Sequence, residues 1–158
     1  MPYAPVSAKI ATPIGMVVIV AENEALLSVR IIPEISAEQH DAGSPVLDRA
    51  VTQMRAYFAG QRRDFDLPLL PLTSARGNAL RAGIISVGYG QTLTYGGLAR
   101  KIDSGPRAVG QACRRNPFPI IVPCHRITSA GGAPENYSGG DGITTKAWLN
   151  AFERGNCA

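Results

Sequence analysis

The hydrophobic pattern of this 158-residue chain changes at a proline-containing segment, Phe65–Leu72, and this change constrains the fold more than any other feature. Before that segment, turn sequences separate three short apolar runs, Ser7–Ala11, Met16–Ala21 and Leu26–Ile31. Runs of this length between Pro-, Gly- and Asn-containing turns predict a meander of β-strands. After the segment, apolar residues recur at helical spacing. The chain is therefore predicted to contain two parts with different secondary structure.

The N-terminal part also contains one predicted helix, over Ser44–Phe58, with Gly60 just beyond its end. The predicted fold class is α/β (α+β): a small β-meander plus helix domain over residues 1–70, then a mainly helical domain over residues 75–158. A chain of this length has enough residues for one domain or two small ones.

The C-terminal part is predicted to begin with a helix over Ser74–Val87. Two shorter helices follow, Tyr95–Ile102 with Thr94 as its N-cap and Arg107–Arg115, joined by the turn Asp103–Pro106. Two short helices joined by a tight turn are typical of a helix-turn-helix. Such corners also occur in many helical proteins that bind no DNA, so this alternative stays open.

Charge is unevenly divided along the chain. Residues 1–74 carry a net charge of −2 and residues 75–158 a net charge of +6. The basic half indicates a polyanionic partner, the alternative being a solvated basic surface. Within it, Ala108, Gly110 and Ala112 are interpreted as a small-residue face of one helix. A helical glycine costs about 1 kcal/mol relative to alanine, so close approach to a nucleic-acid groove or to another helix should compensate for it.

The sequence gives no indication of a membrane segment, a cofactor or a metal site. The apolar stretch Ile14–Ala21 is too short to span a bilayer and has no basic leader or cleavage site. We therefore expect a cytoplasmic protein. Cys113, Cys124 and Cys157 fit neither a disulfide framework nor a zinc knuckle.

Cys124 directly precedes His125 at the end of the apolar run Ile120–Val122. A thiol acts as a nucleophile in its thiolate form, and an imidazole can take up its proton. Neighbouring side chains in extended backbone point to opposite sides, so a water relay or a kinked backbone would have to connect the two. Glu153, in the last predicted helix, is the candidate carboxylate that orients His125. A buried structural cysteine remains the alternative.

Five segments follow one another along the chain: Arg107-Ala-Val-Gly110, Asn116-Pro117, Pro123-Cys-His-Arg126, Tyr137-Ser-Gly-Gly140 and Lys146-Ala-Trp-Leu149. Together they resemble the O6-alkylguanine-DNA alkyltransferases, the methylated-DNA–protein-cysteine methyltransferases. The resemblance is dense over residues 84–155, and the N-terminal half matches only in outline. It implies direct-reversal repair by a monomer without cofactor or metal. The alkyl group, mainly methyl, would pass from O6-alkylguanine in double-stranded DNA to a cysteine in one irreversible turnover, after base flipping from the minor groove.

The resemblance implies catalytic roles for five residues. Cys124 would accept the alkyl group, His125 would act as a water-mediated base, and Glu153 would polarise it. Asn116 would brace the turn that holds the reactive segment. Tyr95 would direct its phenol to ring nitrogen N3 of the leaving guanine.

The resemblance also implies the residues that bind substrate and DNA. The carbonyl of Ile127 would help to read the exocyclic amine, and Tyr137 and Ser138 would form the far wall of the pocket. The residues expected to lie against DNA are Arg107, Ala108, Gly110, Ala112, Arg114 and Arg115, with Arg107 filling the gap left by the flipped nucleotide. Residues 75–158 would then be the DNA-binding and alkyl-transfer domain, and residues 1–70 a structural domain.

The residues also bear on an alternative function and depart from the family pattern at the lip of the pocket. Alkyltransferase-like proteins recognise alkylated bases without reacting, but they lack the acceptor cysteine, which is present here as Cys124. Pro134-Glu135 replaces a stretch that often contains glycine at the lip of the pocket. We expect this carboxylate to disfavour bulky adducts.

Overall fold

The computed structural model describes residues 4–131, 137 and 139–157, and the chain divides into two compact units, Met1–Leu70 and Pro71–Ala158. The first unit contains a four-stranded antiparallel sheet in the order β3-β2-β1-β4. Its strands are β1 (Val6–Thr12), β2 (Gly15–Glu22), β3 (Ala25–Ile32) and β4 (Gln39–His40). The first three are the predicted meander, and the two-residue edge strand β4 was not predicted.

Local turn chemistry sets the register of the meander. Thr12 pairs with Gly15 across the first hairpin, and the Thr12 hydroxyl donates a 2.7 Å hydrogen bond to the Gly15 carbonyl. Gly15 has φ of 116°, and a Cβ there would collide with the carbonyl of Ile32 on the neighbouring strand. Asn23 has φ of 57° in the second hairpin, a conformation that Asn tolerates well. Both turn sequences therefore set the register of the strands by placing Gly15 and Asn23 in backbone conformations that few other residues adopt.

Helix α1 (Pro45–Phe58) packs on the sheet of the first unit. The Ser44 hydroxyl caps it by accepting a 3.2 Å hydrogen bond from the amide of Leu47. Its buried side includes Leu47, Ala50 and Met54, which lie at the helical spacing read from the sequence. The core of the unit is thus the contact between this helix face and the buried residues of the strands.

The second unit contains four helices, two short strands and one 3₁₀ turn within the described residues. These elements are α2 (Ala75–Ile85), β5 (Leu93–Thr94), α3 (Tyr95–Lys101), α4 (Pro106–Arg114), the 3₁₀ turn Cys124–Arg126, β6 (Ile127–Thr128) and α5 (Ile143–Asn156). The predicted mixed α/β class, with an N-terminal meander and a mainly helical C-terminal part, is confirmed. In the part of the chain that the structure describes, no helix has the length and apolarity needed to cross a bilayer.

Two features of the second unit differ from the sequence prediction. Helix α2 ends at Ile85, two residues earlier than predicted, because Ser86 caps its C-terminal end. Strands β5 and β6 form a parallel pair that the sequence did not reveal, with Leu93 opposite Ile127. A pair of two-residue strands has no readable alternation, so its existence depends on contacts formed in the folded chain.

Candidate active site

The backbone around Cys124 is a tight series of turns. The apolar run Ile120–Val122 does not form a strand: Ile120 has φ of 78°, and the amide of Val122 donates to the carbonyl of Phe118 at 2.9 Å. Cys124–Arg126 then forms a 3₁₀ turn. The backbone is therefore kinked directly at the Cys-His pair, which is one of the two alternatives that the sequence left open.

Asn116 holds this turn from within. Its side-chain amide donates to the carbonyl of Val122 at 2.9 Å and to the sulfur of Cys124 at 3.1 Å. Its side-chain oxygen accepts from the amide of Phe118 at 2.9 Å. One buried side chain thus ties both ends of the turn to the thiol.

The Cys124 thiol is completely buried and its ionisation is disfavoured. Burial raises the pKa of Cys124 to about 11, although the hydrogen bond from Asn116 and the positive charge of Lys146 act in the opposite direction. At neutral pH the sulfur of Cys124 is therefore protonated. A partner has to take up the proton before the sulfur can react.

The Glu153 carboxylate accepts hydrogen bonds from two segments of the second unit, the 3₁₀ turn and the loop at Gly90. His125 Nε2 lies 2.8 Å from Oε2, and Arg126 donates to both oxygens, at 2.9 Å from Nε and 3.1 Å from Nη2. The amide of Gly90 approaches Oε1 at 3.3 Å. Burial alone would raise the pKa of Glu153, but the hydrogen bonds and charges of His125 and Arg126 lower it well below 4.5.

This network determines the tautomer of His125. An ionised carboxylate can only accept hydrogen bonds, so Nε2 of the fully buried imidazole carries the proton that it shares with Glu153. The pKa of His125 is lowered, mainly by burial, which keeps the ring neutral. Nδ1 is therefore an acceptor, and it is buried with no hydrogen-bond partner among the described residues. The ring is prepared to receive a proton at Nδ1.

Stability is expected to fall in acid because of this network. The lowered folded-state pKa values of His125 and Glu153 mean that the unfolded chain binds protons more readily. Their contributions are present above the ordinary values of about 6.5 and 4.5 and are lost as the pH falls below each. Urea unfolding between about pH 8 and pH 4 measures this. His125→Asn should weaken the decrease just below pH ~6.5, whereas His40→Asn, which changes an exposed histidine, is the matched control. Constant stability across this range would contradict the prediction.

The strand pair β5–β6 brings Tyr95 close to the reactive turn. Tyr95 directly follows β5 as the first residue of α3, and Ile127 directly follows the 3₁₀ turn at the start of β6. Ile127 is buried, and its amide donates to the carbonyl of Cys124. The ring of Tyr137 meets the ring of His125 edge to face at 6.5 Å. Ser138 and Glu135, also singled out from the sequence, lie outside the described residues.

Lys146 is a site residue that sequence reasoning missed, although it stands in one of the family segments. Its side chain is fully buried, and its Nζ lies 3.2 Å from the hydroxyl of Tyr95. Its charge also acts on Cys124. A lysine in an amphipathic helix normally faces solvent, so no sequence signal separated it from an ordinary surface residue.

Helix α4 presents arginines on its outer side. Arg107, Arg114 and Arg115 are exposed, whereas Val109 and Cys113 are buried. Gly110 is also buried, so it does not share a face with Ala108 and Ala112 as the sequence analysis supposed. At about 100° per residue, Gly110 lies roughly 200° around the helix from Ala108. This correction leaves Ala108 and Ala112 as the small residues of one face.

Packing against the described residues does not require a glycine at position 110, because a Cβ there would meet none of their atoms within 4 Å. We expect Gly110→Ala to raise the free energy of unfolding by about 0.5–1 kcal/mol, since alanine is the better helix former. Urea unfolding measures this. Gly15→Ala, where a Cβ collides with the Ile32 carbonyl, is the control and should destabilise. A loss of stability in Gly110→Ala would contradict the prediction.

Ala108 and Ala112 line a groove of about 340 Å³ between α2 and α4. Among the described residues that line it are the arginines Arg76, Arg81 and Arg115 and no carboxylate. The guanidinium of Arg81 lies 5.2 Å from the centre of the Phe118 ring. The groove therefore combines an apolar floor with positive charge, which suits an anionic partner.

Both units match family models. Residues 78–155 match the DNA-binding domain of 6-O-methylguanine DNA methyltransferase, and residues 6–71 match its ribonuclease-like domain. Among curated relatives, a methylated-DNA–protein-cysteine methyltransferase of Methanosarcina acetivorans is 33% identical over 156 residues, covering 92% of this chain and 96% of the relative. A DNA base-flipping protein of Thermus thermophilus is 39% identical over 127 residues, covering 78% of this chain and 84% of the relative.

Solved structures agree with the family match. The O6-methylguanine methyltransferase of Mycobacterium tuberculosis superposes with a TM-score of 0.82 at 31% identity, covering 97% of this chain and 94% of the other. A structure of the Mycobacterium tuberculosis protein in complex with DNA matches with a TM-score of 0.79 at 30% identity, covering 95% and 93% of the two chains. The likeness therefore extends through both units.

Proposed function

This chain belongs to the 6-O-methylguanine DNA methyltransferase family, and we propose that it transfers the alkyl group of O6-alkylguanine in DNA irreversibly to Cys124. The observation that carries the proposal is the buried thiol beside an imidazole whose tautomer is set by a carboxylate. A thioether is not reduced back to a thiol as a disulfide is, so each molecule would react once. The result is direct reversal of the damage, with the guanine left intact in the DNA.

The first step is removal of the proton from Cys124. With a pKa of about 11, the thiol needs a base, and the neutral His125 offers Nδ1 as the acceptor. The family resemblance gives the base a water-mediated role. Glu153 stabilises the imidazolium that forms and is itself held by Arg126. Arg126 thus supports the carboxylate, and it is too deeply buried to read a base directly.

The second step is alkyl transfer. The sulfur forms a bond to the alkyl carbon while the bond from that carbon to O6 breaks, and guanine leaves with the bonding pair. Tyr95 would donate its phenol proton to N3 of the leaving base. The proton that His125 took from the thiol would then neutralise the Tyr95 phenolate, so that overall guanine gains the proton of Cys124 and loses its alkyl group. Asn116 would hold the sulfur in line through its 3.1 Å hydrogen bond, and Tyr137 would close the pocket beside His125.

Delivery of the base requires DNA contacts on the helical unit. Chemistry on a base needs that base out of the stack, which costs a few kcal/mol and less for a weakened damaged pair. The outer side of α4 offers Arg107 to occupy the emptied position and Arg114 and Arg115 to bind phosphates. Ala108 and Ala112 allow the minor groove to approach closely. Gly110 lies on the buried side and is left out of this contact.

We further propose that the protein works as a monomer in the cytoplasm. One buried cysteine and one flipped base are sufficient for the reaction, so no second copy is needed to complete the site. Cys113, Cys124 and Cys157 are all free thiols, which fits a reducing compartment.

The similarity to a DNA base-flipping protein supports a second candidate function, recognition of the alkylated base without reaction. Intact-protein mass after incubation with a duplex carrying one O6-methylguanine separates the two. Alkyl transfer adds about 14 Da to one molecule per lesion, and an undamaged duplex of the same sequence adds nothing. Tight lesion-selective binding with no mass change would favour recognition alone. If the experiment shows no mass change and no selective binding, both functions are contradicted.

A further inference from the structure

Lys146 occupies a position that is unfavourable for a cation. It lies in the first turn of α5, four residues after Gly142, and its side chain is 0% exposed. A cation near a helix N-terminus is destabilised by the helix dipole by about 0.3–1 kcal/mol, and fully buried lysines are rare. Burial and helix position therefore both oppose a lysine here, which makes its contacts informative.

The contact with Tyr95 fixes the direction of one hydrogen bond. Lys146 Nζ lies 3.2 Å from the Tyr95 hydroxyl and 5.4 Å from the centre of its ring. An ammonium has three donors and no acceptor, so the phenol oxygen has to accept from it. The phenol then gives its own proton to a different acceptor. In the reaction proposed above, that acceptor is N3 of the target guanine.

The charge of Lys146 also reaches the reacting sulfur. It lowers the pKa of Cys124 and of Cys113, in each case against the larger effect of burial, and it lowers the pKa of His125. Its charge acts on Cys113 of α4 and on Cys124 and His125 of the 3₁₀ turn. Asn150, one turn further along α5, donates to the carbonyl of His125 at 2.7 Å, so the side of α5 that carries Lys146 packs against this turn. During alkyl transfer negative charge moves from sulfur to the leaving guanine. A fixed cation near Cys124 and Tyr95 stabilises that charge at both ends of its path.

We propose that Lys146 is a positioning residue of the alkyl-transfer site, which keeps the Tyr95 phenol as a donor toward the target base and supplies fixed positive charge on the side of α5 that packs against the turn of Cys124. The first part of this inference, the role of the Tyr95 phenol toward the target base, rests on the proposed function. The second part, the effect of the Lys146 charge on the Cys124 thiol, can be measured without DNA.

Three variants test the proposal. Lys146→Met keeps the length of the side chain and removes the charge, Lys146→Arg keeps the charge, and Tyr95→Phe removes the phenol. The rate of alkyl transfer from an O6-methylguanine duplex should fall about 100-fold in Lys146→Met, with lesion binding little changed, and should be largely restored in Lys146→Arg. Adding Tyr95→Phe to Lys146→Met should cost much less than Tyr95→Phe costs in the wild type, because the two residues act together.

The DNA-free measurement is the rate of Cys124 carboxamidomethylation by iodoacetamide against pH, followed by peptide mass mapping. Loss of the cation should move this profile to higher pH in Lys146→Met, and Lys146→Arg should keep it near that of the wild type. An unmoved profile, or additive losses with Tyr95→Phe, would overturn the proposal and leave Lys146 a purely structural residue. If the wild type transfers no alkyl group, the proposed function fails, while the thiol profile still decides whether Lys146 acts on Cys124.

Discussion

Cys124→Ser is expected to abolish alkyl transfer and leave the fold and lesion binding in place. The hydroxyl can accept the same hydrogen bond from Asn116 that the sulfur accepts at 3.1 Å, so the turn should keep its structure. An alcohol is far less acidic than a thiol, and its oxygen is a poorer nucleophile toward an alkyl carbon. The gain of about 14 Da that the wild type shows with O6-methylguanine duplex should therefore be absent.

Cys113→Ser is the matched control for this result. Cys113 is also fully buried, and burial raises its pKa to about 12, but it lies on the inner side of α4 with no assigned role in the reaction. This variant should still gain the mass of one methyl group, measured by intact mass and localised by peptide mapping. A methyl group found on Cys113 or Cys157, or full transfer by Cys124→Ser, would rule out Cys124 as the acceptor.

Glu153→Gln is expected to give the largest loss of stability among single changes at the site. The amide keeps the size of the side chain but leaves the guanidinium of Arg126 buried, 6% exposed, without its carboxylate. Breaking one partner of a buried ion pair costs about 3–5 kcal/mol. The imidazolium of His125 also loses its stabilising anion, so the transfer rate should fall by about 100-fold or more. Urea unfolding and single-turnover kinetics measure the two effects.

The exposed pair Glu38–Arg55 provides the control, with an N–O distance of 3.2 Å and about half of each side chain in solvent. Because solvent screens this pair, Glu38→Gln should change stability little. Combining Glu153→Gln with Arg126→Gln should recover part of the stability, since neither charge is then left alone, without restoring the transfer rate. Equal losses in the free energy of unfolding for Glu38→Gln and Glu153→Gln would contradict the prediction, because the buried network would then stabilise the fold no more than an exposed ion pair.

Elements with strong local signals were predicted within one or two residues. Helix α1 has its N-cap at Ser44 and α3 has its N-cap at Thr94, because a side-chain oxygen at these positions accepts from an amide three residues later. The strands of the meander followed from apolar runs between turns. The apolar run Ile120–Val122 could not be identified as a turn from the sequence, because three buried residues look alike in a strand and in a turn. The positive φ of Ile120 shows that folding overrides its β preference.

The candidate site likewise contains contacts that the sequence predicted and contacts that it did not. The pairing of Glu153 with His125 was expected from residue types, since a basic imidazole needs a carboxylate. The amide of Gly90, which lies 63 positions from Glu153, could not be expected, because an amide has no side-chain signature. Lys146 is recognisable in the sequence as a cationic residue, but nothing in the sequence indicated that its side chain is buried. Gly110 was placed on the wrong side of α4, because alternate residues on a helix face nearly opposite directions.

The sequence by itself determined the local elements and pointed to the reacting groups that we propose, because periodicity, caps and the segment around Cys124 depend on neighbouring residues. The tertiary structure alone decided that Nδ1 of His125 has no hydrogen-bond partner among the described residues, that Arg126 supports Glu153, and that Lys146 contacts Tyr95. These facts depend on which distant segments pack together and on the exclusion of water from between them. That exclusion sets the charge states of the thiol, the imidazole and the carboxylate.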